Sequence, residues 1–314
     1  MKPIRLGVMA ENAQTPTELL DTARRAEAAG CSTLLIRDHL VEGPFRHQLA
    51  PLTALAAVAA ATTRLRVGTL VICNDFRHPA VLAKAAATLD VLSGGRLELG
   101  LGAGFLRREY DEAGLRFDPP GDRVGRLEES LQVLKGLFGP GPFTYEGRHY
   151  RFSGLDSYPS PVQRPHPPLH VAAAQPRMLA IAGREADIVN LQGVATTGGV
   201  MREDPAGRSP EATAERIERV RAAAGARADQ VEISMTIAPI VTDRPREAAE
   251  ELARARGWGI SGDQVLAMPS VLAGPPDRLV ELLNERRERF GVSYFIASDA
   301  DLAVVEELAT VGAR

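Results

Sequence analysis

The sequence predicts a (β/α)8 TIM barrel, in which eight parallel strands each lead into a helix and the ring of strands closes on itself. Short apolar runs alternate with amphipathic segments about eight times along the 314 residues. A doubly wound open sheet of this length would ordinarily divide into two domains. No repeat period or low-complexity tract competes with a barrel. We therefore expect residues 1–314 to form one TIM-barrel domain with insertions.

The first half of the chain contains four predicted strand–helix units. Their strands are predicted at residues 4–9, 33–36, 65–72 and 96–101. Thr15 or Thr17 can cap the first helix, which ends at Gly30. The next helices are predicted at residues 51–63, 79–92 and 123–138. Residues 143–152 (FTYEGRHYRF) interrupt the alternation of strands and helices and predict an inserted β-hairpin.

The second half continues the alternation. Its strands are predicted at residues 169–173, 187–191, 231–240 and 292–297, and its helices at residues 176–186, 210–224, 245–257, 276–290 and 301–311. Residues 195–209 (ATTGGVMREDPAGRS) have little apolar pattern, so we expect a mobile loop there. Barrel loops often act as lids over a substrate.

Composition excludes several classes of function. The chain is 45% hydrophobic and 25% charged with a formal net charge of -3, and it has no long basic run, which argues against nucleic-acid binding. Residues 54–63 are too short an apolar run to cross a bilayer, and the first residues lack a signal-peptide pattern, so we expect no membrane partner. Two cysteines, Cys31 and Cys73, imply no disulfide framework and fit a reducing cytoplasm. The histidines lack metal-ligand spacing, and we expect no metal site; those considered were His47, His149, His166 and His170.

Polar residues that follow the predicted strands are the site candidates, because barrel active sites lie at the carboxyl ends of the strands. Asp38 and His39 follow the second strand and can form a proton-handling pair. The alternative is a helix-capping aspartate beside a histidine on the rim. The fourth strand ends in Gly102 and Gly104, where a ligand can lie against bare backbone. A dinucleotide fingerprint would need glycine at Phe105, so a structural bend is the alternative here.

A phosphate site is predicted at residues 172–182 (AAAQPRMLAIA). A buried strand ends there in small residues, and Pro176 suits the first turn of a helix. Free backbone N–H groups at that helix start can bind an anion, with Arg177 close enough to assist. An ordinary capped helix is the alternative.

Three motifs resemble the bacterial luciferase-like flavin or deazaflavin oxidoreductases, a TIM-barrel family. They are EAAGCSTLLIRDHL, LRVGTLVICNDFRHPAVLAKAAATLDVLSGGRLELGLGAGFLRREYDEAG and LHVAAAQPRMLAIAGREADIVN, in register across most of residues 4–192. The resemblance implies a catalytic His39 and a cofactor held along the barrel mouth. The implied cofactor-binding residues are Asp38 at the ring, Leu70 and Val71 behind it at a non-prolyl cis peptide, Ala103 and Gly104 beside it, and Ala173, Ala174 and Gln175 at the phosphate.

Two positions depart from the family pattern. Ala174 and Gln175 replace a glycine pair that is frequent at the phosphate turn. The position of a second catalytic acid in the sugar-phosphate deazaflavin dehydrogenases falls at Phe105, which argues against glucose 6-phosphate as a substrate.

The resemblance implies an oxidoreductase that transfers hydride between coenzyme F-420 and a small organic substrate. One alternative is an FMN-dependent monooxygenase that uses O2 and reduced flavin. A flavin or F-420 reductase would then be the partner that supplies reduced cofactor. An alternative of another class is a family member that binds a ligand without turnover. The resemblance also implies a homodimer, because members of this family commonly form homodimers.

Overall fold

The computed structural model describes residues 2–43, 45 and 48–312, and for residues 194–197 and 310–312 it describes the backbone alone. His47 lies outside the described residues. The strands are β1 (Arg5–Met9), β2 (Thr33–Ile36), β3 (Arg66–Thr69), β4 (Ile72–Cys73), β5 (Leu97–Gly102), β6 (Phe143–Glu146), β7 (Arg151–Leu155), β8 (Leu169–Ala173), β9 (Ile188–Leu191), β10 (Val194–Thr197), β11 (Val200–Glu203), β12 (Glu232–Thr236), β13 (Ala238–Val241), β14 (Val271–Gly274) and β15 (Val292–Ser298).

The helices surround the strands and mostly begin with proline at the first helical position, where the missing N–H costs no hydrogen bond. They are α1 (Pro16–Ala28), α2 (Pro51–Ala61), α3 (Pro79–Leu92), α4 (Arg107–Glu112), α5 (Pro120–Phe138), α6 (Pro176–Glu185), α7 (Pro210–Ala224), α8 (Pro245–Arg256), α9 (Gly262–Ala267), α10 (Pro276–Phe290) and α11 (Leu302–Gly312). Thr15, and not Thr17, caps α1, because its side chain and that of Glu18 form a capping box. Among the described residues, no helix is long and apolar enough to cross a membrane.

The main sheet is a closed parallel barrel. Its strands are ordered β3-β2-β1-β15-β12-β9-β8-β5-β4, and β3 also pairs with β5, which closes the ring. The nine strands fill eight positions, because β3 and β4 are two parts of the third strand. The predicted (β/α)8 TIM-barrel fold is confirmed.

Three two-stranded sheets lie outside the barrel: β6 with β7, β10 with β11, and β13 with β14. The strand predicted at residues 231–240 divides, because β13 leaves the barrel and pairs with β14, a strand that the sequence reading missed along with α9. The predicted loop at residues 195–209 contains β11 and most of β10, which pair antiparallel. Its β11 is largely exposed on both faces and therefore has no apolar alternation. The mobility of this segment stays a prediction.

Charged and polar side chains fill the amino-terminal end of the barrel. Glu98 is almost fully buried and accepts hydrogen bonds from Arg5 (2.6 Å) and Arg66 (2.9 Å). His170 is fully buried against the hydroxyl of Ser234 (Nε2–Oγ, 2.8 Å). Burial lowers the pKa of His170 to about 3, so its imidazole is neutral at physiological pH. These groups close the base of the barrel and leave its mouth for a ligand.

The third and fourth barrel strands approach each other closely. The Thr69 hydroxyl donates to the Gly100 carbonyl (2.9 Å) and accepts from the Gly100 N–H (2.8 Å). A Cβ at Gly100 would lie 1.9 Å from the Thr69 carbonyl oxygen, and one at Gly102 would lie 2.7 Å from a methyl group of Val71. The barrel therefore closes here only because both residues lack a side chain.

We expect Gly100→Ala to lower the free energy of unfolding by about 2–4 kcal/mol, because the clash is with backbone and cannot be relieved by a rotamer change. Urea unfolding followed by circular dichroism measures the loss. Gly43→Ala is the matched control, since its Cβ would lie 3.9 Å from the end of the Arg108 side chain. Equal stability of the two variants would contradict this account of barrel closure.

Candidate active site

One large cavity opens at the carboxyl ends of the barrel strands and has a volume of about 1020 Å³. The predicted site residues that line it are Asp38, His39, Leu70, Val71, Ala103, Gly104, Ala174 and Gln175. Ala173, also predicted, is buried within β8 directly before Ala174. The structure therefore brings residues from four successive barrel positions to one surface.

Asp38 is buried and its carboxylate is used within the protein. It accepts a hydrogen bond from the Cys73 N–H (3.0 Å) and forms an ion pair with Arg77. Burial alone would lower the pKa of the Arg77 guanidinium, but the hydrogen bond and charge of Asp38 raise it above its ordinary value. Asp38 thus joins the end of β2 to β4 and holds the backbone that carries His39.

His39 is oriented by a carboxylate that the sequence reading did not assign to the site. Its Nδ1 lies 3.1 Å from Oε1 of Glu109, which also accepts a hydrogen bond from the Leu40 N–H (2.6 Å). An ionised carboxylate only accepts, so Nδ1 carries the proton of the neutral ring. Nε2 is then the basic nitrogen available to a ligand in the cavity.

Aromatic rings fix the imidazole further. Phe45 stacks on His39 with ring centroids 4.0 Å apart, and Phe105 meets it edge-on at 6.2 Å. Phe105 is therefore a packing residue, and the acid near His39 comes from Glu109 in α4. The argument against glucose 6-phosphate as a substrate, which rests on Phe105, stays a prediction, because Glu109 is bound to Nδ1 of His39 and to the Leu40 N–H.

The peptide bond between Leu70 and Val71 is cis, as the resemblance implies. These two residues connect β3 to β4 and line the cavity. They provide an apolar surface at the third barrel position, next to Gly102 at the end of β5.

The amino terminus of α6 opens into the same cavity. Gln175 is its N-cap residue, and no side chain caps the helix. Gln175, Arg177 and Met178 all line the cavity. Unpaired N–H groups at this end can bind an anion. The alternative interpretation, a helix whose first turn is capped by a side chain, is not observed.

Insertions outside the barrel build the roof and the far wall of the cavity. The N–H of Arg107 donates to the Gly199 carbonyl (3.0 Å), which holds the turn between β10 and β11 against α4. On the far wall, Glu203 accepts from the indole of Trp258 (3.0 Å) and from Arg256 (3.0 Å). Burial alone would raise the pKa of Glu203, but the bond from Trp258 and the nearby arginines lower it.

The sequence assigns no role to several cavity residues, chiefly Glu109, which stands at the end of the polar stretch after the fourth strand, and Arg123. The spacing of Leu106 and Tyr110 predicts that both lie on one face of a helix, and Glu109 lies on that face too. In the structure all three residues are buried. No such signal existed for Glu203 or Trp258, which lie in segments of weak pattern. Within the described residues, no group of three or more potential ligands could hold a metal ion.

The sequence profile described as luciferase-like monooxygenase matches residues 1–312. The chain belongs to this family. The resemblance drawn from the three motifs is thereby confirmed. The match covers the barrel, its insertions and every residue that lines the cavity.

Curated relatives include F-420-dependent glucose-6-phosphate dehydrogenases from several organisms. The protein from Nakamurella multipartita is 37% identical over 203 residues, which is 63% of this chain and 57% of the relative. That from Kineococcus radiotolerans is 36% identical over 192 residues, covering 59% and 56%. The matched segment thus spans little more than half the length of these relatives.

Solved structures show the same fold. The coenzyme F-420-dependent tetrahydromethanopterin reductase from Methanopyrus kandleri superposes with a TM-score of 0.77 at 20% identity over 98% of both chains. The monooxygenase RslO1 from Streptomyces bottropensis gives a TM-score of 0.76 at 24% identity over 99% of this chain and 98% of that one. At these identities the structures establish the shared fold alone.

We expect Glu109→Leu to remove the preference for the Nδ1-protonated tautomer of His39, because the acceptor of that proton is lost. The unpaired Leu40 N–H should cost about 1–3 kcal/mol of stability. The ¹⁵N chemical shifts of the His39 ring in the neutral form measure the tautomer. Glu112→Leu is the control, an exposed residue of the same helix. Unchanged ring shifts in Glu109→Leu would show that the carboxylate does not select the tautomer.

Proposed function

We propose that this protein is a coenzyme F-420-dependent oxidoreductase that transfers hydride between the deazaflavin and a small organic substrate. The observation that carries the proposal is a single cavity that joins an oriented histidine to an uncapped helix amino terminus. The F-420-dependent dehydrogenases among the curated relatives support the same cofactor.

The residues present fit such a cofactor. The ring would lie against Leu70 and Val71 near His39, and the phosphate would meet the N–H groups at the start of α6, beside Ala174 and Gln175. The missing glycine pair does not block this turn, because backbone donors do not depend on side chains and both residues line the cavity. Asp38 would act through the backbone that it holds, since its oxygens already bond Arg77 and Cys73.

When bound, the deazaflavin exchanges a hydride at its ring carbon five. His39 would handle the accompanying proton. In the oxidative direction Nε2 takes the proton of the substrate hydroxyl while the carbon gives up its hydride, and a carbonyl group forms. The Glu109 carboxylate stabilises the imidazolium, because it keeps its hydrogen bond to Nδ1 in both protonation states.

The family description favours a second candidate, an FMN-dependent monooxygenase supplied with reduced flavin by a partner reductase. It would use the same cavity and the same helix terminus for its phosphate. Reduced FMN reacts readily with O2, whereas reduced deazaflavin does not, so oxygen uptake separates the two candidates. A ligand-binding protein without turnover would bind neither cofactor.

Fluorescence titration with F-420 and, separately, with FMN tests the proposal. We expect micromolar binding of F-420, at least about tenfold tighter than that of FMN. Ala174→Trp should abolish it by filling the phosphate turn, while Ala222→Trp, an exposed position on α7, should leave it unchanged. Tighter binding of FMN with substrate-dependent oxygen uptake would favour the monooxygenase, and binding of neither would contradict both enzymes.

We also propose that the protein is a cytoplasmic homodimer. Both cysteines are free and buried, which suits a reducing compartment. The outer faces of α2 and α3 are apolar: Val81, Val91 and Leu92 are exposed, and Lys84 is the single exposed charge on these two helices. A surface helix normally presents charged residues to solvent, so this face suits a second copy of the chain.

Light scattering after size-exclusion chromatography tests the dimer. We expect a wild-type dimer, and a monomer for Val81→Asp/Leu92→Asp, because two buried carboxylates per subunit would lack partners. Val241→Asp replaces an equally apolar exposed residue on β13 and should leave the dimer intact. A wild-type monomer, or a dimer that survives the double substitution, would overturn the proposed interface.

A further inference from the structure

Three arginines on the far wall of the cavity share one ion-paired carboxylate. This arginine cluster consists of Arg208, Arg216 and Arg256, which all line the cavity. Glu203 pairs with Arg208 at 3.3 Å and with Arg256 at 3.0 Å. Asp204 lies nearby, but within the described part of the chain it forms no ion pair with the cluster. The wall therefore carries an excess of positive charge.

The guanidinium groups of the cluster use few of their donors. Each has five N–H groups, and within the described residues each side chain donates a single hydrogen bond. Arg208 and Arg256 donate to Glu203, and Arg216 donates to the Gly207 carbonyl. Nε of Arg208 is buried without a partner. The cluster thus has both the charge and the donors to bind an anion.

Arg208 is fixed in the wall by packing. Its side chain is 19% exposed. Gly193 makes room for it, since a Cβ there would lie 2.7 Å from Cγ of Arg208. The guanidinium lies 5.4 Å from the centre of the Trp258 ring. Burial lowers the pKa of Arg208, and the charge and hydrogen bond of Glu203 do not restore it. The protein thus holds a cation in place that it neutralises only in part.

Apolar side chains lie beside the cluster. Leu252 and Trp258 pack against the apolar group that contains Val271, and all three line the cavity. An aliphatic or aromatic body can lie against them, whereas the hydroxyls of a sugar would lack partners there. Gly193 follows β9 at the sixth barrel position, and the α6 terminus follows β8 at the fifth. The cluster is therefore distinct from the proposed phosphate turn.

We propose that the arginine cluster binds the carboxylate of the substrate, and that the substrate is an organic acid with an apolar body. This inference rests on the proposed function, whose substrate class it names. A carboxylate accepts two parallel hydrogen bonds from a guanidinium fork and supplies the negative charge that the wall lacks. The carbon that exchanges hydride lies at another part of the molecule, towards His39.

The chain has one tryptophan, Trp258, so intrinsic fluorescence reports on this wall without any cofactor. Protein free of cofactor is titrated with butyrate, hexanoate and octanoate, each beside its uncharged amide, at constant ionic strength. We expect a saturable change in emission with at least one acid, which binds about tenfold or more tightly than its amide.

Substitutions in the cluster separate charge recognition from packing. Arg208→Met should weaken the acid by about tenfold or more and leave the amide unchanged, and Arg208→Lys should fall between. Glu203→Gln should tighten the acid by about threefold, because a like charge is removed while an acceptor for the Trp258 indole remains. Misfolding cannot produce such a gain. Arg219→Met is the control, since Arg219 is half-exposed on α7 and pairs with Glu215.

A separate titration with F-420 distinguishes the two proposals. We expect Arg208→Met to leave the dissociation constant of F-420 within about threefold of wild type. A larger loss would assign the cluster to the cofactor and overturn its role in substrate binding. Equal binding of acids and amides, binding of none, or tighter binding of glucose 6-phosphate than of every acid would also overturn it. Binding of the acids without binding of F-420 would contradict the proposed function and leave the carboxylate site standing.

Discussion

The close approach of the third and fourth barrel strands is the constraint on which the site depends. Val67 and Gly68 of β3 pair with β5, the chain then departs at Leu70 and Val71, and β4 resumes the pairing. Gly68, Gly100 and Gly102 leave the space that this departure requires. A side chain at Gly100 would meet the backbone of Thr69 and separate the strands. The apolar floor of the cavity is therefore a consequence of how the barrel closes.

Charge is distributed unevenly along the cavity. Near His39, Asp38 and Glu109 are buried, and each is bound to donors from neighbouring segments, so they orient the backbone and the imidazole. Further along, Nε of Arg123 has no hydrogen-bond partner among the described residues, and no side chain caps the α6 terminus. A ligand with an uncharged ring and an anionic extension matches this gradient, since each part meets groups whose hydrogen bonds it can complete.

The far wall of the cavity is built by segments outside the barrel. Glu203 from β11 and Trp258 after α8 meet across the cavity, and the turn between β10 and β11 rests on α4. Barrel enzymes commonly keep the cofactor site on the strands and vary substrate recognition in the loops. The shape of this wall is therefore decided by contacts between segments that are distant along the chain.

The sequence by itself determined the barrel. The barrel strands are mostly apolar runs bounded by glycine or polar residues, and most of the helices begin with proline, so local signals suffice. His39 and the start of α6 follow from the same logic, because the ends of parallel strands share one rim.

Only the tertiary structure decided how these groups are arranged. Glu109 lies 70 positions from His39, and the gap in the pairing of β3 and β4 depends on glycines in β5. The local sequence pattern predicts whether a residue is buried. Which groups it contacts there depends on the fold of the whole chain. The pairing of β13 with β14 was not predicted for the same reason. The register of a four-residue apolar strand is set by the strand that it pairs with, and the local sequence does not specify that partner.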